Sequence, residues 1–192
     1  ANPAKTTAYL YDGDNVLADY VAASGSSTLA MDRFYVTPML DQNISVTIAA
    51  GQTGAGTYYY TQDGLGSVRT LTNASGSLTN RYDYTAFGED YAAGTAASLA
   101  QRYQYTSREA SPLASAGAPM FYCNRMYDAA KGRFISRDTR GYSANPEGNL
   151  YAYCGNNGLL MVDPYGLEDC PDDKPASVAK PPFGASKMTP ED

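Results

Sequence analysis

Short runs of alternating apolar and polar residues, separated by turns rich in Gly, Asp and Asn, dominate the first half of the chain. Residues 9–20 alternate around an Asp-Gly-Asp-Asn turn, residues 58–72 alternate around Asp-Gly-Leu-Gly, and a third run, 78–84, follows a turn at 73–77. A period of two on both sides of a Gly-containing turn predicts a β-hairpin. The pattern therefore predicts consecutive hairpins.

The same pattern recurs at 84–89 and, as an expected strand, at 102–109, on either side of a Gly/Ala/Ser-rich loop at 92–100. These imperfect repeats of about 20 residues are each too small to bury their own apolar face, so we expect them to stack into a larger sheet. The sequence predicts an all-β fold, in which antiparallel Tyr-Asp-repeat hairpins stack in a curling sheet with few or no short helices.

The composition supports this fold and argues against some classes of partner. The chain has 18 Tyr beside 5 Phe and no Trp, and Tyr favours strands because its ring packs on a pleated surface while its hydroxyl finds a polar partner. Its 192 residues suffice for one domain with a modest core. A net charge of −6 argues against a nucleic-acid partner, which needs a clustered basic face. No apolar run is long enough to predict a membrane span.

Histidine is absent from the chain. Its absence excludes Ser-His-Asp and Cys-His nucleophiles and His-containing metal sites, and leaves carboxylates in different protonation states as the hydrolytic route. Cys123, Cys154 and Cys170 are spaced by 31 and 16 residues and match no compact zinc motif, so we expect no cofactor and no metal. One disulfide, Cys123 with Cys154, and three reduced thiols both fit this spacing.

The two ends of the chain differ from its middle. It begins Ala-Asn-Pro-Ala-Lys, without an initiator Met or a signal sequence, which indicates a processed product or, preferably, a fragment of a longer protein. Residues 168–192 are rich in Pro and poor in aliphatic residues, so we expect a tail that is extended or disordered when free. The predicted organisation is a core over 1–167, with hairpins at 9–91, the loop at 92–100 and a motif-rich part at 101–167, followed by the tail.

A series of motifs follows in order along the chain: D-x-L-G-S-x-R at 63–69, Y-x-x-F-G at 84–88, R-M-Y-D at 125–128, G-R-F-I-S-R-D at 132–138, N-L-Y-A-Y at 149–153 and D-P-Y-G-L at 163–167. Together they resemble the repeat-associated core of RHS/YD-repeat proteins over roughly residues 9–167. A lone Tyr-Asp pair is weak evidence, whereas ordered motifs are specific. The resemblance implies the end of a spiralling β-shell that cuts its own chain after D-P-x-G-L.

The resemblance also implies site residues. In the self-cleaving shells, notably the encapsulating component of insecticidal toxin complexes, an Arg and two Asp residues are implicated, and they match Arg125, Asp138 and Asp163. The implied cut lies between Leu167 and Glu168. Hydrolysis by carboxylates needs one ionised group to activate water and one protonated group to donate to the carbonyl oxygen, so we expect the two Asp side chains to lie close together. If Arg125 lies beside them, its positive charge would favour the ionised form of one of the two Asp side chains.

Each of these residues also has a structural interpretation. Arg125 can pair with a carboxylate across strands, and Asp138 suits a turn at the end of a strand. Residues 163–166 are typical of a tight turn, in which Pro164 presets φ and Gly166 supplies a positive φ. The structural and catalytic interpretations are compatible, because such a turn would hold the 167–168 peptide near the Asp163 side chain.

The chain departs from the family pattern at three positions. Arg137 and Thr139 flank Asp138 where Pro is usual, and Gly158 replaces the Pro of the N-x-P segment. Asn157-Gly158 predicts a type I′ hairpin turn. Residues 149–153 are expected to form a strand that covers the end of the shell.

The leading hypothesis is the C-terminal core of an RHS-type shell that plugs or encapsulates and acts once, as an aspartyl autoprotease cutting after Leu167. Its partners would be its own C-terminal tail and the remainder of the shell, and its location secreted or at the cell surface. A non-enzymatic alternative is a structural or adhesive module whose strand edges pair with copies of itself into oligomers or fibres. A third is a Tyr-lined cell-surface binder of glycans.

Overall fold

Two antiparallel β-sheets make up the part of the chain that the computed structural model describes, residues 6–110, 118–141 and 148–167. Within these residues, the helical backbone is of the 3₁₀ type and includes the turns Tyr105–Ser107 and Cys154–Asn156. Neither sheet closes on itself, and the all-β prediction is confirmed. No helix in these segments has the length and apolar character needed to cross a bilayer. The predicted tail, 168–192, lies outside the described residues.

The larger sheet contains eight strands, each hydrogen-bonded to the next in the chain. Their bounds are β1 (Thr6–Asp12), β2 (Asn15–Ala22), β3 (Ala30–Val36), β4 (Ser45–Ile48), β5 (Gly56–Gln62), β6 (Val68–Asn73), β7 (Leu78–Arg81) and β8 (Ala96–Ala97). All of these pairings are antiparallel, so the sheet is a simple meander.

The predicted hairpins are present as β1–β2 and β5–β6, and local side-chain chemistry explains the second turn. The Oδ1 atom of Asp63 accepts hydrogen bonds from the backbone N–H groups of Leu65 and Ser67, at 3.0 and 2.9 Å. An Asp that binds the backbone ahead of it in this way mimics a turn and reverses the chain. Asn73 does the same before β7, with the N–H groups of Ser75 and Ser77.

The smaller sheet has four strands: β9 (Glu109–Ala110), β10 (Met120–Tyr122), β11 (Arg125–Asp128) and β12 (Arg133–Phe134). Their order across the sheet is β12-β11-β10-β9. Strands β10 and β11 form a tight hairpin whose turn places Cys123 at φ 51. This hairpin places Arg125, the first residue of β11, opposite Tyr122.

Aromatic rings fill the core beneath the smaller sheet. Its largest members pack with ring centroids 4.7 to 6.5 Å apart, mostly edge to face, and they are Tyr105, Tyr122, Tyr127, Phe134 and Tyr153. Each such pair adds about 0.5–1.5 kcal/mol beyond the area that it buries. Tyr84 packs against this cluster and also against the aliphatic and Tyr core of the larger sheet, so the two sheets share one interior.

The strand predicted at 102–109 is wrong. Residues 105–107 form a 3₁₀ turn instead, with Thr106 at φ 45 and Ser107 at φ 56. Contacts from distant residues explain the change: the Thr106 N–H donates to Ser67 Oγ at 3.0 Å, and Ser107 Oγ donates to the Gly66 carbonyl at 2.6 Å. Buried hydrogen bonds of this kind override the strand preference of the flanking Tyr residues.

Two further predictions near the end of the chain are also wrong. Residues 149–153 make a single β-bridge, Ala152 with Arg133, rather than a strand. Asn157 has φ −114, whereas a type I′ turn needs a positive φ there, and Gly158 lies close against the Ala86 carbonyl instead. The loop at 92–100 contains β8.

The sulfurs of Cys123 and Cys154 are not bonded to each other. The structure thus lacks the Cys123–Cys154 disulfide that the sequence left open, and Cys170 lies outside the described residues.

Candidate functional site

The last five described residues form a turn, Asp163–Leu167, here called the closing turn. The Gly166 N–H donates to the Asp163 carbonyl at 3.3 Å, and Gly166 has φ +66. The Leu167 N–H donates to Asp163 Oδ1 at 3.1 Å. The first residue of the turn is therefore bound to the last, which places the Leu167 backbone against the Asp163 carboxylate.

A buried arginine joins the residues that the sequence singled out. Arg125 Nη2 lies 3.1 Å from Asp138 Oδ2 and 3.2 Å from Asp163 Oδ2. The two carboxylate oxygens are thus no more than about 6.3 Å apart, the sum of these distances. The side chains of Arg125, Asp138 and Asp163 are 3%, 8% and 1% exposed. Water would hardly screen the repulsion between the two carboxylates at such burial, and the positive charge of the guanidinium offsets it. We call these three residues the Arg125 cluster.

The position of Arg125 is fixed on several sides. Its guanidinium lies 3.6 Å from the centroid of the Phe134 ring, Nη1 donates to the Leu150 carbonyl at 3.3 Å, and Nε donates to the Gly166 carbonyl. Arginine suits this place because its planar fork carries five donors and stacks on an aromatic face.

Asp138 follows β12 and begins a turn of its own. Its N–H donates to the Leu150 carbonyl at 2.9 Å, and its carbonyl accepts the Gly141 N–H at 3.2 Å. Its Oδ1 atom accepts the Arg140 N–H at 2.8 Å. The carboxylate is directed at Arg125 without a Pro on either side, so this orientation does not depend on the family's usual Pro residues.

Four consecutive carbonyl groups of the closing turn, from Pro164 to Leu167, each accept a hydrogen bond from outside it. Pro164 O accepts from Arg108 Nη1 at 2.8 Å and from Cys123 Sγ at 3.7 Å; Tyr165 O accepts from Asn124 Nδ2 at 2.9 Å; Gly166 O accepts from Arg125 Nε; and Leu167 O accepts from Arg140 Nη1 at 2.8 Å. The backbone of the closing turn is thereby bound along its whole length. Glu168 lies outside the described residues.

Sequence reasoning missed three of these donors, Arg108, Asn124 and Arg140. Their acceptors are backbone oxygens, which carry no mark in the sequence. Arg140 is exposed and Arg108 is buried.

A cavity of about 320 Å³ lies beside Arg108 and Cys123, with Tyr11 and Asp41 also in its lining. Arg108 forms an ion pair with Asp41 there. Burial raises the pKa of the Cys123 thiol, and the Arg108 guanidinium partly opposes that rise. The thiol therefore stays protonated and can donate to the Pro164 carbonyl.

The hydrogen bonds define what the Arg125 cluster can do. Both oxygens of Asp138 and both oxygens of Asp163 lie against N–H donors, so all four oxygens face groups that can donate a hydrogen bond. The cluster thus places one carboxylate, that of Asp163, against the Leu167 N–H, and a separate cation, Arg140, binds the Leu167 carbonyl oxygen. In the described ranges, no group of three or more His, Cys, Asp or Glu residues is arranged to bind a metal ion.

No protein-family model matches this chain, and no curated protein sequence matches it significantly. Solved structures do. A TcdB2–TccC3 structure without the hypervariable C-terminal region aligns over 87% of this chain and 8% of its own, at 20% identity and a TM-score of 0.65. TcdB2–TccC3–Cdc42 aligns over the same shares at 20% identity and a TM-score of 0.66. The chain shares its fold with part of these Tc toxin chains.

A Photorhabdus luminescens Tc holotoxin pore that carries a mutation in TccC3 gives the same picture. It aligns over 93% of this chain and 8% of its own, at 19% identity and a TM-score of 0.66. At such identities the likeness concerns the fold, and this chain spans less than a tenth of the length of each Tc chain.

Proposed function

We propose that this chain is the closing end of an RHS-type β-shell and that it hydrolyses its own Leu167–Glu168 peptide bond. The observation that carries the proposal is the Arg125 cluster, two carboxylates on one buried guanidinium, beside Leu167, whose N–H donates to Asp163 and whose carbonyl accepts from Arg140. The shared fold with Tc toxin chains and the ordered sequence motifs support the same function.

The chemistry needs one water molecule. A carboxylate of the Arg125 cluster accepts a proton from water as the water oxygen attacks the Leu167 carbonyl carbon. The C–N bond to Glu168 then breaks, its nitrogen takes up the proton, and the products are a Leu167 carboxylate and a new amino terminus. Because the peptide belongs to the same chain, no substrate has to be bound, and the reaction benefits from proximity but runs once.

Intact mass during folding tests the proposal. The 192-residue chain is made in a cell-free system and sampled from minutes to days. The wild type should yield a fragment that ends at Leu167, and Asp163→Asn and Asp138→Asn should each slow the cut by at least about 100-fold, the usual scale for losing a general base.

A second arginine with two carboxylates provides a matched control. Arg102 lies 2.6 Å from both Asp19 and Glu109, far along the chain from the closing turn. Asp19→Asn removes a partly buried charge just as Asp138→Asn does, yet it should leave the rate of the cut within about twofold. A wild-type chain that stays uncut at 167–168 after days, or equal slowing by both variants, would contradict the proposal.

We further propose that the shell encloses whatever follows Leu167, so that the partners of this chain are its own C-terminal tail and the remainder of the shell. A secreted or cell-surface location follows from that role. The open sheets support it, because β1 and β8 end the larger sheet with edges on which further strands of a shell can pair.

Edge-to-edge assembly without catalysis is a second candidate, and β1 favours it. Six of its seven residues are exposed, among them Tyr9, Leu10 and Tyr11, which is a long apolar edge of the kind that pairs with other chains. Sizing and electron microscopy should then show oligomers or filaments, and Leu10→Lys should reduce them. A monomer at high concentration counts against this candidate.

Glycan binding is the remaining alternative. Among the described tyrosines, Tyr9, Tyr11, Tyr59 and Tyr91 are exposed and can offer a ring to a sugar, whereas the core takes many of the others as packing groups. A glycan array probed with the intact chain tests it.

A further inference from the structure

Arg140 contacts the oxygen atom on which charge would develop if the chain cut itself. We infer that Arg140 is a catalytic residue that stabilises this oxyanion during self-cleavage, in the place that an aspartyl mechanism gives to a protonated Asp. The inference rests on the proposed function and names a fourth residue of the same site.

The geometry that supports it is direct. Arg140 Nη1 donates to the Leu167 carbonyl oxygen at 2.8 Å, which is the distance expected of an oxyanion-hole donor. The backbone N–H of the same residue donates to Asp138 Oδ1 at 2.8 Å. One residue therefore binds both the carbonyl to be attacked and a carboxylate that can serve as the base, and this sets their relative position.

The two carboxylates are occupied elsewhere. Asp138 accepts from the Arg140 N–H and forms an ion pair with Arg125, and Asp163 accepts from the Leu167 N–H and from Arg125. Hydrogen bonding to N–H donors favours the ionised form of a carboxylate, which has no proton to give to a carbonyl oxygen. A guanidinium already on that oxygen supplies the hydrogen-bond donor that a protonated Asp would otherwise supply, and it adds a positive charge.

The same contact changes character once the bond is cut. The neutral carbonyl becomes a negative tetrahedral oxygen and then one oxygen of the Leu167 carboxylate, and Arg140 stays positively charged throughout. When the acceptor oxygen becomes an anion, the Coulomb attraction between opposite charges adds to the hydrogen bond that the neutral carbonyl already accepts. Arg140 therefore binds the transition state and the product more strongly than the intact peptide, as a catalyst requires.

Substitution at Arg140 tests the inference, with Arg137 as the matched control. Both are exposed arginines in the segment that follows β12, and the substituted chains should fold equally well. Following the mass of the fragment that ends at Leu167, we expect Arg140→Ala to slow the cut by at least about tenfold, less than the 10²–10³ of a buried oxyanion donor. Arg140→Lys should recover part of the rate, and Arg137→Ala should stay within about twofold of the wild type.

The pH profile gives a readout that a merely structural role would not move. The charged groups of the site are Arg125, Arg140, Asp138 and Asp163, of which Arg140 contacts the Leu167 carbonyl oxygen. If Arg140 stabilises the oxyanion, the wild-type rate rises with pH and then stays level. A pair of carboxyls that shares one proton gives a bell instead.

Two failures can be told apart. If the wild type cuts itself but Arg140→Ala is as fast as Arg137→Ala, or the wild-type rate falls again by pH 8, the role of Arg140 is wrong and the proposed function stands. If the wild type never cuts, the proposed function fails and the role of Arg140 fails with it.

Discussion

Gly166 is the position at which a single methyl group should disturb the site most. It has φ +66, and a Cβ atom there would lie 2.6 Å from the Tyr122 carbonyl oxygen and 3.2 Å from the Tyr122 Cβ. The close approach brings the closing turn against the β10–β11 hairpin, where Arg125 begins its strand. Gly166→Ala therefore combines an unfavourable backbone conformation with a collision against backbone that cannot rotate away.

The size of the effect follows from two contributions. A non-Gly residue in the left-handed region costs about 1–2 kcal/mol, of which a lower entropy of the unfolded chain returns about 0.4–1 kcal/mol. Forcing extra volume into a packed site costs about 1–3 kcal/mol more. We expect Gly166→Ala to lower the free energy of unfolding by about 2–4 kcal/mol in total.

Gly141→Ala isolates the collision. Gly141 has nearly the same φ, +67, but a Cβ atom there would meet nothing within 4 Å. In parallel urea titrations it should lose about 1 kcal/mol or less, so that the difference between the two variants, about 1–3 kcal/mol, measures the contact with Tyr122. Equal losses for the two variants would refute the argument that the closing turn is packed against the β10–β11 hairpin.

Two further predictions concern ionised groups. Arg102→Met should lower the free energy of unfolding in urea by about 3 kcal/mol, because it leaves the partly buried Asp19 and Glu109 without their counter-charge. Lys131→Met, which breaks the exposed pair with Asp128, should lower it by less than about 1 kcal/mol. Similar losses for the two variants would contradict this prediction. Burial, aided by Glu89, raises the pKa of the Asp90 carboxyl above its usual 3.8, so the folded state holds that proton more tightly than the unfolded chain and stability falls as pH rises through this range. Asp90→Asn should therefore raise the urea midpoint at pH 7 and leave it unchanged at pH 3, and an unchanged midpoint at pH 7 would count against it.

The parts of the fold that sequence predicted well are those fixed by neighbours in the chain. The hairpin turns at Gly13 and Asp63 depend on residues two to four positions apart, and the alternating pattern beside them is visible in the sequence. The 3₁₀ turn at 105–107 was missed because its backbone is bound by Ser67 and Gly66, about 40 residues earlier. Such contacts leave no periodic trace.

The residues of the candidate site also fall into those that the sequence predicted and those that it did not. Arg125, Asp138 and Asp163 were found because each belongs to a motif with a fixed order, and the structure brings them together on one guanidinium. Their catalytic role stays a prediction. Arg140 was not found, because a side chain that binds a backbone carbonyl 27 residues away matches no motif.

The row of bound carbonyls along the closing turn has a consequence for variation. Every one of those bonds ends on a backbone oxygen, so none depends on which side chain stands at 165 or 167. These bonds recognise the direction and spacing of the chain here, whereas Asp163 and Gly166 contribute to the turn through their residue type. The bonds to residues 164–167 thus set no requirement on the sequence that follows Leu167, so that sequence can diverge without the loss of any of them.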